Sequence, residues 1–189
     1  MAQPDLPPPG ETTFLLGGMD LEMRTIKALL LRYGHQPGET LFDRGLEWHN
    51  AHLSAYQDLL HRPGPIYGIE LQEDLPPPPA YHRIDHHNAL AHLPSSLEQL
   101  ATLLGHALSR EEQLIAANDR GYIPAMQALG ASPGEIAHIR RLDRQAQGVT
   151  EAEETQARAD IARRRQAGPL TLVATDLRRF SPITDALFG

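Results

Sequence analysis

The stretch from Thr12 to Tyr33 reads TTFLLGGMDLEMRTIKALLLRY. Thr12 to Leu16 is a short β-branched and apolar run, Gly17-Gly18 stops it, and Leu21, Ile26, Leu29, Leu30 and Tyr33 then recur at helical spacing. Strand, glycine turn and helix in direct succession open an α/β unit. The alternation continues outward. Gly34 closes the helix, Leu46 to Leu60 predicts a second amphipathic helix ended by His61-Arg-Pro-Gly-Pro65, and Ile66 to Leu71 predicts a strand. Pro76 to Pro79 is a stiff connector, after which Tyr81 to Ile84 predicts a strand running straight into Asp85-His86-His87. Ser95 or Ser96 can cap a helix through His106, with Glu98 and Gln99 near the position of a capping box. Further helices are expected over Arg110 to Ala117, Ile123 to Leu129, Pro133 to Arg144 and Thr150 to Ala167, and Leu170 to Ala174 predicts a buried strand. The expected fold is α/β, three layers, with a mainly parallel sheet flanked by helices.

A chain of 189 residues is the size of one domain. The organisation expected is a proline-rich arm over 1–11 and a single α/β domain over 12–189. A hydrophobic content of 41% and a charged content of 22% describe a chain that folds. Basic residues number 17 and acidic residues 24, a net charge of −7, so no global positive field holds a phosphate backbone and nucleic acid binds only through a local patch or metal ions. With no cysteine, disulfides, thiolate nucleophiles and zinc–thiolate sites are excluded, and any metal is held by His, Asp, Glu or backbone oxygen. No apolar run approaches ~20 residues, and Met1 to Glu11 lacks the basic start and apolar stretch of a signal peptide. The reading is a soluble, cytoplasmic protein that does not meet the membrane.

In a parallel sheet the carboxyl ends of the strands share one crevice. Three strands run into acidic or imidazole groups: Asp20 and Glu22 after the first, Glu70 within or just after the second, Asp85, His86 and His87 after the third. Asp119 lies in a further turn, Asn118-Asp119-Arg120-Gly121. Oxygen donors mixed with imidazole suit Mn²⁺, Mg²⁺ or Fe²⁺, and a pair of ions sharing a bridging carboxylate needs about this many ligands. Plainer roles stand beside these. Asp20 fits a helix N-cap, Asp119 fits a turn, and a buried Glu70 needs a partner because an unpaired carboxylate is costly inside a protein.

The segment Tyr81 to Asn88, YHRIDHHN, resembles the signature of the DHH phosphoesterase family. That family carries an Asp-x-Asp element after its first strand, an Asp after a later strand, the Asp-His-His triplet, and an Asp beyond a following helix. The resemblance spans about Thr12 to Met126 and places Asp20 and Glu22, Glu70, Asp85-His86-His87 and Asp119 on these four elements. It implies that Asp20, Glu22, Glu70, His86 and Asp119 hold one or two Mn²⁺ or Mg²⁺ ions, that Asp85 orients a ligand, and that His87 donates to the substrate phosphate, with Arg120 as a further substrate contact. The implied activity is phosphoester or phosphoanhydride hydrolysis by metal-bound hydroxide, on a nucleotide, a short oligonucleotide or polyphosphate. A short single-stranded nucleic acid, a second copy of the chain or a separate subunit are the other partners it admits.

The chain also departs from the family pattern. Leu16 stands where a His is expected, Glu22 and Glu70 stand where Asp is expected, and no second, substrate-binding domain of ordinary size is expected within this length. His82, His35 or His49 is the reserve source of the missing imidazole. The rival to an enzyme is a non-catalytic module that keeps the scaffold to bind a nucleotide or a protein.

Overall fold

The computed structural model describes residues 10–188, so most of the expected proline-rich arm lies outside the described residues. The chain parts into two compact units between Ile139 and Arg140, within the span read from sequence as one domain, 12–189.

The first unit is α/β with a four-stranded, wholly parallel sheet. Its strands are β1 (Thr13–Leu16), β2 (Leu41–Asp43), β3 (Ile66–Ile69) and β4 (Tyr81–Ile84), in the order β2-β1-β3-β4. Side chains alternate across a strand, and β1 is buried along its whole length, so both of its faces need covering. Phe14 and Leu16 face a core shared with Ile69 and Ile84, with α1 (Leu21–Arg32) through Ile26, Leu29 and Leu30, with α2 (Ser96–Leu104) through Leu97 and Leu100, and with α3 (Arg110–Ala128) through Leu114 and Ile115. Leu15 and Ile66 face the other way and pack with Leu53, Tyr56 and Leu71. The expectation of a parallel sheet with helical layers holds.

Two local expectations change, and one strand is added. The helix read over Leu46 to Leu60 is two 3₁₀ segments, Trp48–Asn50 and Leu53–Leu59, with Tyr56 outside helical geometry. Its backbone bonds go to a neighbouring extended segment instead: Leu53 N–H donates to Gln72 O at 2.8 Å and Gln72 N–H to Ala51 O at 2.8 Å. The buried Tyr56 hydroxyl donates to Leu16 O at 2.6 Å, pinning the segment to the end of β1. Strand β2 was not read from sequence. The turn expected at Asn118 to Gly121 is helical through Arg120, because α3 continues to a kink at Gly121 and Tyr122. Pro124 explains the kink: it has no N–H for the carbonyl four residues back, and its ring crowds that position.

Helix α2 carries the capping box in full. Ser95 Oγ accepts from Glu98 N–H, and Glu98 Oε2 accepts from Ser95 N–H at 2.8 Å. Helix α3 repeats the device at Ser109, where Glu112 also receives Ser109 N–H at 2.7 Å, His106 at 3.1 Å and Arg32 at 3.2 Å. Burial acts to raise the Glu112 carboxyl, but these donors overrule it and hold it at about 2. A depressed carboxyl stabilises the fold above its unfolded value of about 4.5 and loses that contribution as pH falls from there toward 2. Urea unfolding at pH 7 and pH 3 is therefore expected to show the parent chain losing about 1–2 kcal/mol more than Glu112→Gln over this interval. Equal losses would remove Glu112 from the acid response.

The second unit holds the end of α4 (Pro133–Ala146), then α5 (Glu151–Ala162), strands β5 (Arg165–Ala167) and β6 (Leu170–Leu172), and α6 (Ser181–Leu187). The helix expected through Ala167 stops at Ala162. The strand expected to be buried is half of an antiparallel hairpin whose residues are all exposed. Asp185 of α6 meets a bidentate Arg140 at 3.1 Å through both guanidinium arms, and Arg144 at 2.5 Å. Among the described residues no helix is long and apolar enough to cross a membrane.

Candidate metal centre

The chain leaves β1 for β2 on one side, while β3 pairs with the opposite edge of β1. The order of a parallel sheet reverses at that point, the place beside the carboxyl ends of the strands where sheets of this kind bind ligands. Gly17 follows β1, and a Cβ on it would lie 2.3 Å from Glu70 O and 2.6 Å from Ile69 O. Only glycine lets the two strand ends approach so closely. The next turn starts α1, where Asp20 Oδ1 caps the helix by accepting from Met23 N–H at 2.8 Å. The N-cap role read from sequence is therefore real.

Glu70 is the first residue beyond β3 and sits at φ +53°, a left-handed conformation that a glutamate rarely adopts. Its side chain is 2% exposed, and its Oε1 has no hydrogen-bond partner among the described residues. Glu22, one turn into α1, is 1% exposed at its side chain; Oε1 accepts from Leu97 N–H at 3.2 Å at the start of α2, while Oε2 also accepts no hydrogen bond. Both orphaned oxygens face His86 after β4: Nε2 lies 3.7 Å from Glu22 Oε2 and 3.8 Å from Glu70 Oε1. Asp119 reaches in from α3 and meets the same nitrogen at 2.5 Å.

One ligand atom each from Glu70, His86, His87 and Asp119 lies within 4.8 Å of the others. Ligands opposite one another on a cation at ~2.0–2.6 Å are about 4–5 Å apart, so the group can hold a metal ion. The electrostatics point the same way. Burial raises the Glu22 carboxyl, and burial together with Asp20, Glu22 and Asp119 raises that of Glu70 well above its ordinary value. Burial acts to lower His86, yet its pairing with Asp119 and Glu22 lifts it to about 10. The His86 imidazole thus stands among the carboxyl groups of Glu22, Glu70 and Asp119, where a divalent cation would satisfy both oxygens that lack a hydrogen bond and displace protons from the cluster.

Asp85, the first residue of the Asp-His-His triplet, sits one step back. Asp85 is buried and accepts from Arg83 at 3.1 and 2.5 Å, from His87 N–H at 2.9 Å and from His87 Nδ1 at 2.9 Å. Burial opposes its charge, but these donors, His87 first, hold its carboxyl well below the carboxylate range. Its backbone carbonyl receives Gln99 Nε2 at 3.0 Å. Arg120, expected at the substrate, pairs with Glu98 at 3.1 Å on the surface. Leu16 is 1% exposed in the core. Of the reserve imidazoles, His35 meets the edge of Phe14, His82 stacks on Tyr67, and His49 lies on the surface beside Glu47.

Three contributors escaped the sequence reading: Leu97 N–H, Gly17 as the closest approach, and Trp48, whose ring lies 4.5 Å from that of His87. The glycine pair carried the one signal that could have revealed its part. Comparison with protein-family models, curated proteins and solved structures finds no match for this chain.

Proposed function

We propose that this chain is a divalent-metal-dependent phosphoester hydrolase of the DHH type, acting on a small phosphorylated substrate with Mn²⁺ or Mg²⁺. The observation that carries the reading is the pair of buried carboxylate oxygens of Glu22 and Glu70 that accept no hydrogen bond and stand 3.7 and 3.8 Å from His86 Nε2, with Asp119 on the same nitrogen. An all-protein cluster of this charge is costly to bury, and a hard cation is the group its donor set fits. The Asp-His-His resemblance falls on the same point.

A bound ion lowers the pKa of water and neutralises charge on phosphoryl oxygens. The protein supplies position. Asp85 holds His87 by Nδ1, leaving Nε2 for a cation or, once protonated, for a phosphoryl oxygen. Arg83 fixes Asp85 in turn. One water adds across the P–O bond: its oxygen goes to phosphorus, a proton goes to the departing alkoxide, and a phosphomonoester or phosphate is left. The net charge of −7 favours small substrates over long duplexes.

A second reading has one observation in its favour: Leu16 is core where the family has a ligand, which suits a module that binds a nucleotide or a protein without turnover. Purification with Mn²⁺, metal analysis and assay on bis(p-nitrophenyl) phosphate separate the two. The enzyme reading expects bound Mn²⁺ and metal-dependent turnover, with His86→Ala losing at least ~100-fold and Asp85→Asn ~10–100-fold. Stoichiometric metal without turnover selects the binding module, and turnover indifferent to both substitutions defeats the hydrolase assignment.

A further inference from the structure

Three rings step outward from the cluster. The side chain of His86 is 6% exposed, that of His87 is 28% exposed, and Trp48 is 52% exposed. The His86 and His87 rings lie 4.4 Å apart, and the indole meets His87 at 4.5 Å and 61°. Trp48 is the chain's single tryptophan, and half of it faces solvent at the rim of the candidate centre. Its turn is well held: Glu47 N–H donates to Asn50 Oδ1 at 2.8 Å, Asn50 N–H to Glu47 O at 2.9 Å, and Ala51 is 1% exposed beneath it.

We infer that Trp48 is a stacking platform for the base of a nucleotide whose phosphate lies at the Glu22–Glu70–His86–Asp119 cluster; this rests on the phosphoesterase reading. The occupant must bring an anion to the cation and a flat, weakly polar surface one ring further out. A nucleotide carries both groups on one rigid sugar, whereas polyphosphate has no planar face. A duplex keeps its bases stacked on one another, so the platform takes a mononucleotide or the unpaired end of a short single strand. A large aromatic left half in water on a held turn, against a histidine of the centre, has no role in either hydrophobic core of this unit.

The test uses the full chain with Mg²⁺ and two probes, adenosine 5′-monophosphate and ribose 5-phosphate, which share the sugar phosphate and differ in the base. Excited where adenine does not absorb, the fluorescence of Trp48 should change saturably with the nucleotide and stay flat with the sugar phosphate. By calorimetry the parent should prefer the nucleotide by roughly tenfold or more, in line with base–aromatic stacking. Trp48→Ala should erase that preference while keeping ribose 5-phosphate affinity and metal content, and Trp48→Phe should keep most of it. A parent without the preference, no binding of the nucleotide, or a preference that survives in Trp48→Ala overturns the inference. The hydrolase reading fails separately, in the parent's lack of metal-dependent turnover on bis(p-nitrophenyl) phosphate, because the binding comparison requires no turnover.

Discussion

Glu70→Gln is expected to melt a few degrees higher than the parent chain without metal, and to bind Mn²⁺ more than ~100-fold more weakly. The two effects have one cause. In the metal-free protein the Glu70 carboxyl is buried beside Asp20, Glu22 and Asp119, and burial and this repulsion drive it well above its ordinary value. Glutamine keeps the shape, removes the cost of burying an ionisable carboxyl among other acids and adds an amide that can donate to a neighbouring carboxylate, a change of about 1 kcal/mol in favour of the fold. With metal present the order reverses, because a ligand at a thousand times its dissociation constant stabilises the native state by about 4 kcal/mol and the variant forfeits most of this. Thermal melts with and without Mn²⁺ should therefore cross. A variant that melts lower than the parent in chelator and retains the parent's Mn²⁺ affinity would show that Glu70 is a structural carboxylate.

The left-handed backbone at Glu70 belongs to the same trade. Strain at a non-glycine residue persists where the surroundings over-determine it, and here it aims a carboxylate at His86 from the end of a strand. No periodicity announces such a residue.

What was legible in the sequence was whatever depends on neighbours along the chain. The run Thr12 to Leu16, the glycine pair and the following helix declare one unit of an α/β sheet, and the Ser95 capping box is a local pattern that the structure reproduces. Carboxylates directly after strands were legible as a group, because a parallel sheet brings such positions to one edge. What failed depended on distant contacts. Leu46 to Leu60 has helical spacing, but Tyr56 and Leu53 spend their polar groups on Leu16 and Gln72, so tertiary bonds override the helix. Strand β2 has three residues, too few for a period of two to stand out. Leu170 to Ala174 reads as buried, yet Leu170 is 61% exposed, since an apolar run does not say whether anything covers it. Asn-Asp-Arg-Gly suits a turn, yet the helix persists until Gly121 and carries Asp119 on α3.

Gly17→Ala carries the second large expectation: loss of about 2–3 kcal/mol of stability together with loss of bound metal, against a near-parental Gly18→Ala. The contrast lies in what each added methyl meets. At Gly17 it meets two backbone carbonyls, Glu70 O at 2.3 Å and Ile69 O at 2.6 Å, which cannot yield without parting β1 from β3. At Gly18 its nearest neighbours are Glu70 Oε2 and Met23 Cε, both at 3.5 Å, an ordinary contact. The register Leu16↔Ile69 that excludes the methyl also sets Asp20 near Glu70, so widening the gap weakens the sheet and opens the cluster in one movement. Metal analysis and urea unfolding of both variants decide the matter. If Gly17→Ala keeps parental stability and metal content, the crevice at the strand-order reversal does not depend on the close approach of its two walls, and the cluster must be held by α1 and α3 instead.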